Sequence, residues 1–336
     1  MSSIFRPTAP GDQPQITRLL TQAFGASPQS TLLDPRVMQW KYWEPRADWP
    51  HPRGYVMERD GQLLAHAAIW PVEFPQTGIR GVQMIDWAAT RDNPGAGISL
   101  VGRLTRMFDF MYSIGGSPTA RKLFPSYGFT EVTRTWMAAR PLRPFRQALT
   151  HQSRNWKLAP RLVRNWWRAH STSAPTGEWA AAPLAPSQIC TAAPNFFPRS
   201  PAFFDYLSRC PVASPQLYSL SRSCRPEGHF VLTLIRGQAR LAGLWLREPS
   251  DESWCAAYAV ALQTARRIPG AYEFAAKGSD GASLRAALHA GLRFAGTDPV
   301  FLLDKQRVFP SVPDFQFQLI DDDGAILDIG RSDYVT

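Results

Sequence analysis

Two stretches far apart in the chain, "ARKLFPSYGFTEV" from Ala120 and "LRAALHAGLRFAG" from Leu284, share one plan. Each reads as a helix that stops at a glycine and hands over to an aromatic-led strand. Around them the same order recurs: helical segments, then a hairpin, then a strand and helix in succession. The 336 residues leave room for two domains of ordinary size. The echo therefore predicts two copies of one α+β fold, the second looser than the first.

The first copy is the plainer. "SIFRP" reads as a strand, and "PQITRLLTQAF" places Ile16, Leu19, Leu20 and Phe24 on one helical face. "STLLDPRVMQWKYW" predicts an irregular second helix. "GYVMER" and "LLAHAAIWPVEF" flank Asp60-Gly61, a tight-turn signal between two apolar runs. "VQMIDWAAT" follows as a strand and runs into "RDNPGAGIS". The next helix is expected to carry Leu100, Val101, Leu104, Met107, Phe108 and Met111 on one stripe. Ser117 caps the following short helix, with Pro118 in its first turn and Gly128 at its end. In the second half "PAFFDYLSRC" reads as a helix and "HFVLTLIRGQARLAGLWLRE" as a hairpin turning at Gly237-Gln238. "WCAAYAVALQTARRI", "AYEFAAK", "ASLRAALHAGLRF" and "DPVFLLD" then alternate helix and strand.

Gly95 and Gly97 put bare backbone between a strand and a helix start. Such a start carries unpaired N–H groups and partial positive charge, which suits an anion. The loop has neither the lysine of a G-x-x-x-x-G-K-[ST] nucleotide loop nor G-x-G-x-x-G spacing. From local sequence alone, a tight turn without a ligand remains an equal alternative.

The succession "IFRPTAPGDQPQITRLLTQAFG", "YVMERDGQLLAHAAI", "IDWAATRDNPGAGISLVGRL" and "SPTARKLFPSYGF" resembles the GNAT (GCN5-related N-acetyltransferase) superfamily over roughly residues 3 to 140. The resemblance implies that "DNPGAG" stands for the family's [Q/R]-x-x-G-x-[G/A] loop, which cradles the pyrophosphate of coenzyme A. Backbone N–H groups of Gly95, Ala96, Gly97, Ile98 and Ser99 would then face phosphate. Ala88, Ala89 and Thr90 would lie beside the pantetheine arm, with Phe124 also against the coenzyme. Asp92 stands where the family has Arg or Gln, which weakens the cationic contact. Phe124 replaces the family's usual tyrosine acid, and Ser117 its common asparagine. Strand alternation puts Asp86 on the same face as Ala88 and Thr90, where it is either the candidate base or a hydrogen-bonded structural residue; Tyr127 is a stand-in acid or a residue that packs or faces water, and Ser117 is the third catalytic candidate. The implied activity is direct transfer of an acyl group from acyl-CoA, or from an acyl carrier protein, to an amine. Loss of turnover would leave a non-catalytic acyl-CoA or partner-binding protein.

The second copy has no glycine loop and is expected to form a wall of the acceptor cleft. Boundaries are therefore set at 1–140, 141–171 and 172–336. The +10 net charge gathers mid-chain, where Arg140 to His170 holds eight Lys or Arg and no acidic residue. "PRLVRNWWRAH" puts Leu162, Val163, Trp166 and Trp167 on one helical face. Three roles compete for it: a strut burying its tryptophans between the lobes, a contact with an anionic membrane surface, and a dock for an acyl carrier protein. No nucleic-acid recognition motif is present, so nucleic acid is not expected. Asp321, Asp322 and Asp323 read as a solvated turn, or as an anionic contact for a cationic amine. His66 reads as a packed strand histidine, or as a base or substrate contact, and no histidine spacing predicts a metal. Cys190, Cys210, Cys224 and Cys255 form no C-x-x-C pair, no leader is expected from the residues after Met1, and no apolar run of about 18 residues suggests a membrane span. Reduced thiols in a cytoplasmic protein, with peripheral membrane contact as a variant, are expected.

Overall fold

The computed structural model describes residues 3–74, 79–150, 158–170, 177–189, 199–307, 316–328 and 334–336. Strand β1 (Ile4–Pro7) leads to helix α1 (Gln13–Phe24), which buries Ile16, Leu19 and Leu20 as the 3.6-residue period requires. Helix α2 (Pro35–Met38) is capped by Asp34 and widens into a π-helical turn over Gln39–Trp43. That turn carries Lys41 and Tyr42 inward, where both are buried. β2 (Gly54–Arg59) and β3 (Gln62–Phe74) form the expected hairpin, with Asp60 and Gly61 both at positive φ.

β4 (Ile79–Ala89), α3 (Pro94–Met107), β5 (Phe110–Ile114), α4 (Pro118–Leu123) and β6 (Thr130–Pro141) complete the first copy. Helix α3 stops at Met107, and Met111 is buried in β5, not on the helix. The expected stripe overran its helix because β5 follows closely, with no glycine or proline to break the apolar pattern.

After α5 (Pro144–Thr150) and α6 (Leu158–His170), the second half repeats the plan, with one helix among the described residues where the first copy has α1 and α2. Its members are β7 (Trp179–Pro183), α7 (Pro201–Ser208), β8 (Gln216–Arg222), β9 (Arg225–Ile235) and β10 (Gln238–Leu246). α8 (Asp251–Arg267), β11 (Glu273–Gly278), α9 (Gly281–His289) and β12 (Arg293–Asp304) close it. The β9–β10 hairpin turns at Arg236-Gly237, both at positive φ, one residue earlier than expected.

All twelve strands share one sheet, ordered β1-β2-β3-β4-β5-β12-β6-β11-β10-β9-β8-β7. Reading from either edge to the centre meets strands of equivalent rank, except that the sixth strands have changed places. β12 lies between β5 and β6, while β6 lies between β12 and β11. The β6·β12 pair runs from Arg293↔Ala139 to Leu302↔Thr130. One core continues from α1 and α2 across the centre to α7, α8 and the chain's last segment. A second core lies under α3 and α4.

The connector departs from expectation. Trp166 and Trp167 are 41% and 69% exposed, while Asn165 between the helix and the protein is buried. The strut reading fails, because α6 turns its polar side inward. Cys190 lies outside the described residues; Cys210, Cys224 and Cys255 are free thiols.

Because each half borrows its neighbour's sixth strand, residues 1–143 and 144–336 expressed separately are expected to stay unfolded or aggregate. Co-expressed, they should form a stable one-to-one complex, checked by circular dichroism and gel filtration. Two independently folded halves would contradict the exchange.

Candidate functional site

The site is built on β4. Along one side β4 pairs with β3; on the other it meets β5 at only two positions, Val82↔Met111 and Gln83↔Tyr112. From Met84 onward it has no strand partner on that side, so the sheet opens there. Opposite Ala67, β4 carries two residues, Asp86 and Trp87, where regular pairing allows one. This bulge holds Asp86 at φ 52°, a region that aspartate tolerates better than most residues. Met84, Trp87 and Ala89 pack under α3, whereas Ile85 and Ala88 belong to the other core. Asp86 shares the Ala88 side, as expected.

On that side the π-helical turn delivers its cargo. The Tyr42 hydroxyl donates to Asp86 Oδ2 at 2.6 Å, and Lys41 Nζ lies 2.5 Å from the same oxygen. Lys41 also reaches Asp323 Oδ2 at 2.5 Å. Burial works against the Lys41 ammonium, but Asp323 and Asp86 outweigh it and raise its pKa above the ordinary value. Burial raises the Asp323 carboxyl, with Lys41 pulling the other way and Asp86 pushing further up. Burial, then the Asp86 charge, lifts the Tyr42 hydroxyl far above its usual range, so it remains a neutral donor. One ammonium thus serves two carboxylates. Only Asp323, with a side chain 23% exposed, reaches the surface.

His66 sits behind this group. Its Nδ1 lies 3.2 Å from the Asp86 carbonyl, and its buried Nε2 finds no partner among the described residues. Burial lowers its pKa to about 3, so it stays neutral and packed.

The aspartate run is no solvated turn. Asp321 pairs with Arg199 at 2.6 Å, Asp322 with Lys277 at 2.7 Å, and Asp323 with Lys41. Three buried cations from separate parts of the chain need counter-charges, and one short segment supplies them. Burial still lifts Asp321 to about 6 despite Arg199. The Tyr112 hydroxyl of β5 donates to the Asp321 carbonyl at 2.6 Å, which ties the segment to the first copy's opening.

The second copy has the same opening, but it is filled. β10 parts from β11 after Leu241↔Ala276, and β10 too has a register shift just beyond. Into this gap comes Gln318. Its backbone bridges Gly278 on β11, and its Oε1 accepts the Leu244 N–H of β10 at 2.5 Å. Helix α8 is capped by Ser250 and carries Asp251 and Glu252 in its first turn, which repels an anion.

The glycine loop of the first copy differs on each count. Asn93 makes no side-chain cap on α3, and Asp92 is exposed. A Cβ at Gly95 would meet nothing within 4 Å, whereas one at Gly97 would fall 2.9 Å from the Ala89 Cβ and 3.2 Å from Trp87 Nε1. Gly97 is therefore a packing glycine and Gly95 the one that leaves space. The five-donor expectation narrows: the Ala96 N–H already goes to the Asn93 carbonyl at 3.0 Å, and helix register commits Gly97, Ile98 and Ser99 within α3. Gly95 keeps its N–H free of that register. Arg59, unanticipated from sequence, brings its Nη2 within 3.5 Å of Asn93 Oδ1 and sets a cation beside the loop.

The remaining candidates are more committed. Phe124 is 1% exposed and packs on Trp87, Phe129 and Phe301, so it is a core residue. It cannot line a ligand face from there. The Ser117 oxygen accepts the Ala120 N–H as the cap of α4. The Tyr127 hydroxyl donates to the Ile98 carbonyl at 2.7 Å, and partial burial raises its pKa. Thr90 and Ala89 are half-buried at the end of β4, and Ala88 is buried.

No family model matches the sequence, and no curated protein matches it by sequence. Solved structures do match by shape. A tandem GNAT protein from the clavulanic acid biosynthesis pathway aligns with a TM-score of 0.59 at 9% identity, over 90% of this chain and 98% of that one. A putative acetyltransferase from Pyrococcus horikoshii gives 0.55 at 10% identity, over 98% and 95%. A GCN5-related N-acetyltransferase from Anabaena variabilis gives 0.56 at 12%, over 90% and 72%. The fold is the GNAT fold, present twice.

His66 makes stability pH-dependent. Its folded pKa lies below the ordinary 6.5, so the unfolded chain binds a proton that the folded chain refuses between 6.5 and about 3. Its contribution is complete above 6.5 and is lost as pH falls, at up to about 1.4 kcal/mol per pH unit. Denaturant midpoints measured from pH 7 to 4 should fall less steeply in His66→Phe than in the parent.

Proposed function

We propose that this chain is an N-acyltransferase that moves an acyl group from acyl-CoA, or from a carrier protein bearing the same thioester arm, directly to an amine. One observation carries the reading: β4 leaves β5 after two residue pairs, between an uncapped helix start on one face and Asp86 with Lys41 on the other. A pantetheine arm carries amide groups that can pair with a strand edge as another strand would. Ala88, Ala89 and Thr90 offer that edge with little side chain in the way. Beyond it, the Gly95 N–H and the α3 dipole favour the diphosphate, with Arg59 and Arg91 close by. The sealed opening of the second copy makes this a one-site protein on our reading.

The amine enters from the side of α2 and the aspartate segment. Its nitrogen bonds to the thioester carbon, the C–S bond breaks, and the thiolate departs. The proton shed by the nitrogen passes to Asp86, whose charge is shared through Lys41 with the more exposed Asp323. Two carboxylates against one ammonium leave this wall net negative, which suits an acceptor that arrives as a cation and gives its first proton to solvent before attack. Phe124 cannot protonate the leaving group, and Tyr127 is engaged with Ile98. A thiol with a pKa near 8.5 can leave as thiolate unaided.

Two substitutions separate binding from chemistry. Asp86→Asn keeps a residue that tolerates positive φ and leaves Lys41 its Asp323 partner, so it should stay folded with a lowered melting temperature, retain acyl-CoA binding by calorimetry, and lose about 100-fold or more in kcat/KM. Gly95→Glu should leave the melting temperature unchanged and weaken acyl-CoA binding about tenfold or more, since its side chain enters open space and opposes phosphate. Gly97→Val should instead destabilise the fold by about 1–3 kcal/mol, through contact with Ala89 and Trp87. Absence of acyl-CoA binding by the parent chain, or equal thiol release by Asp86→Asn, would overturn the proposal.

A further inference from the structure

Helices α5 and α6 are inside out. α5 buries Gln147 and exposes Phe145 at 62% and Leu149 at 66%, one turn apart on one face. α6 buries Asn165 and exposes Val163, Trp166 and Trp167. The inward polar groups have their own partners. Asn165 Nδ2 donates to Gln147 Oε1 at 3.0 Å, and Gln147 Nε2 donates to Thr336 Oγ1 at 2.9 Å and to Glu273 Oε1 at 3.3 Å. Arg161 donates to the Thr336 carbonyl at 2.7 Å, and Arg143 to the Arg266 carbonyl at 2.7 Å. A polar clasp thus holds the pair onto the second copy and turns its apolar residues outward.

What lies outward is concentrated. Five of the eleven large apolar side chains exposed among the described residues are on these two helices: Phe145, Leu149, Val163, Trp166 and Trp167. Trp166 packs edge-on against Trp167 at 5.7 Å and against the His170 ring at 4.7 Å, so the aromatic group is already ordered. A cluster of this kind marks a contact surface. The charged side chains of the two helices have one sign: α5 and α6 carry Arg146, Arg161, Arg164 and Arg168 and no carboxylate, and Arg146 and Arg164 are exposed. Arg164 and Arg293 both stand near enough to Arg168 to add to the lowering of its pKa that burial begins, so β12 extends the positive field.

We propose that the α5–α6 face docks on an anionic phospholipid surface, with Phe145, Leu149, Val163, Trp166 and Trp167 entering the headgroup boundary and the arginines meeting lipid phosphates. Basic residues around tryptophan and leucine are the composition that settles a helix in that layer. The chain's +10 charge opposes a second copy as occupant. No described helix is long and apolar enough to cross a membrane, and α6, of 13 residues, is suited to lie along one. The surface is separate from the β4 opening, and the inference does not depend on the acyl-transfer reading.

Co-sedimentation of the full chain with vesicles of phosphatidylcholine plus phosphatidylglycerol, against phosphatidylcholine alone, tests it. The parent should pellet with the anionic vesicles and be released by salt. Trp166→Ala with Trp167→Ala, and separately Phe145→Ala with Leu149→Ala, should each weaken pelleting by about tenfold or more. Their melting temperatures should stay at the parent value, because the side chains removed are exposed. Arg146→Glu with Arg164→Glu should abolish the preference for anionic lipid. No pelleting, equal pelleting with neutral vesicles, or variants that bind like the parent would overturn the proposal. So would self-association, or capture by an acidic carrier protein, that these variants abolish while vesicle binding is absent.

Discussion

The exchange of β6 and β12 is the constraint from which the rest of the molecule follows. A split sheet such as β1 to β5 ends in a strand with an unpaired outer edge, and such an edge is a liability in water. Here β12 covers β5 and β6 covers β11, so neither half is finished without the other. The central pairing makes one sheet of two copies and fixes where the last segment of the chain emerges. Residues 316–328 lie across the middle, where they reach both openings.

That segment makes the two copies unlike. Gln318 meets the backbone of β10 and β11 at the second opening. A few residues later Asp321, Asp322 and Asp323 neutralise Arg199, Lys277 and Lys41. Each of these charges would be costly if buried alone, and removing one partner of such a pair typically costs about 3–5 kcal/mol. A single stretch of backbone therefore fills one opening and meets the Lys41–Asp86 pair beside the other. The asymmetry needs no change in the sheet itself, since both copies part their fourth and fifth strands just before a bulge.

The same trade between polar and apolar surface, run in reverse, shapes the connector. In α5 and α6 amides face the protein and aromatic rings face outward, which only a satisfied polar network can sustain. A helical projection shows that α6 has two faces. Which face turns inward is set by Gln147 in the neighbouring helix and, through it, by Thr336, far away in the sequence.

The linear order of residues determined the elements, because each rests on neighbours: the hairpin at Asp60-Gly61, the caps at Ser117 and Gly128, the stripe of α1, and the glycine loop with its helix. It also showed the doubling, since "YGF" and "AGLRF" end equivalent helices. Asp86 and the β4 edge were legible for the same reason. Folding in three dimensions decided what depends on distant partners. The strand exchange, the Lys41 link between Asp86 and Asp323, and the Gln318 plug join residues from 40 to 282 positions apart. Periodicity measures a residue against its own helix or strand. A buried charge, a filled gap or an outward ring is settled by desolvation and packing against segments that arrive from elsewhere in the chain.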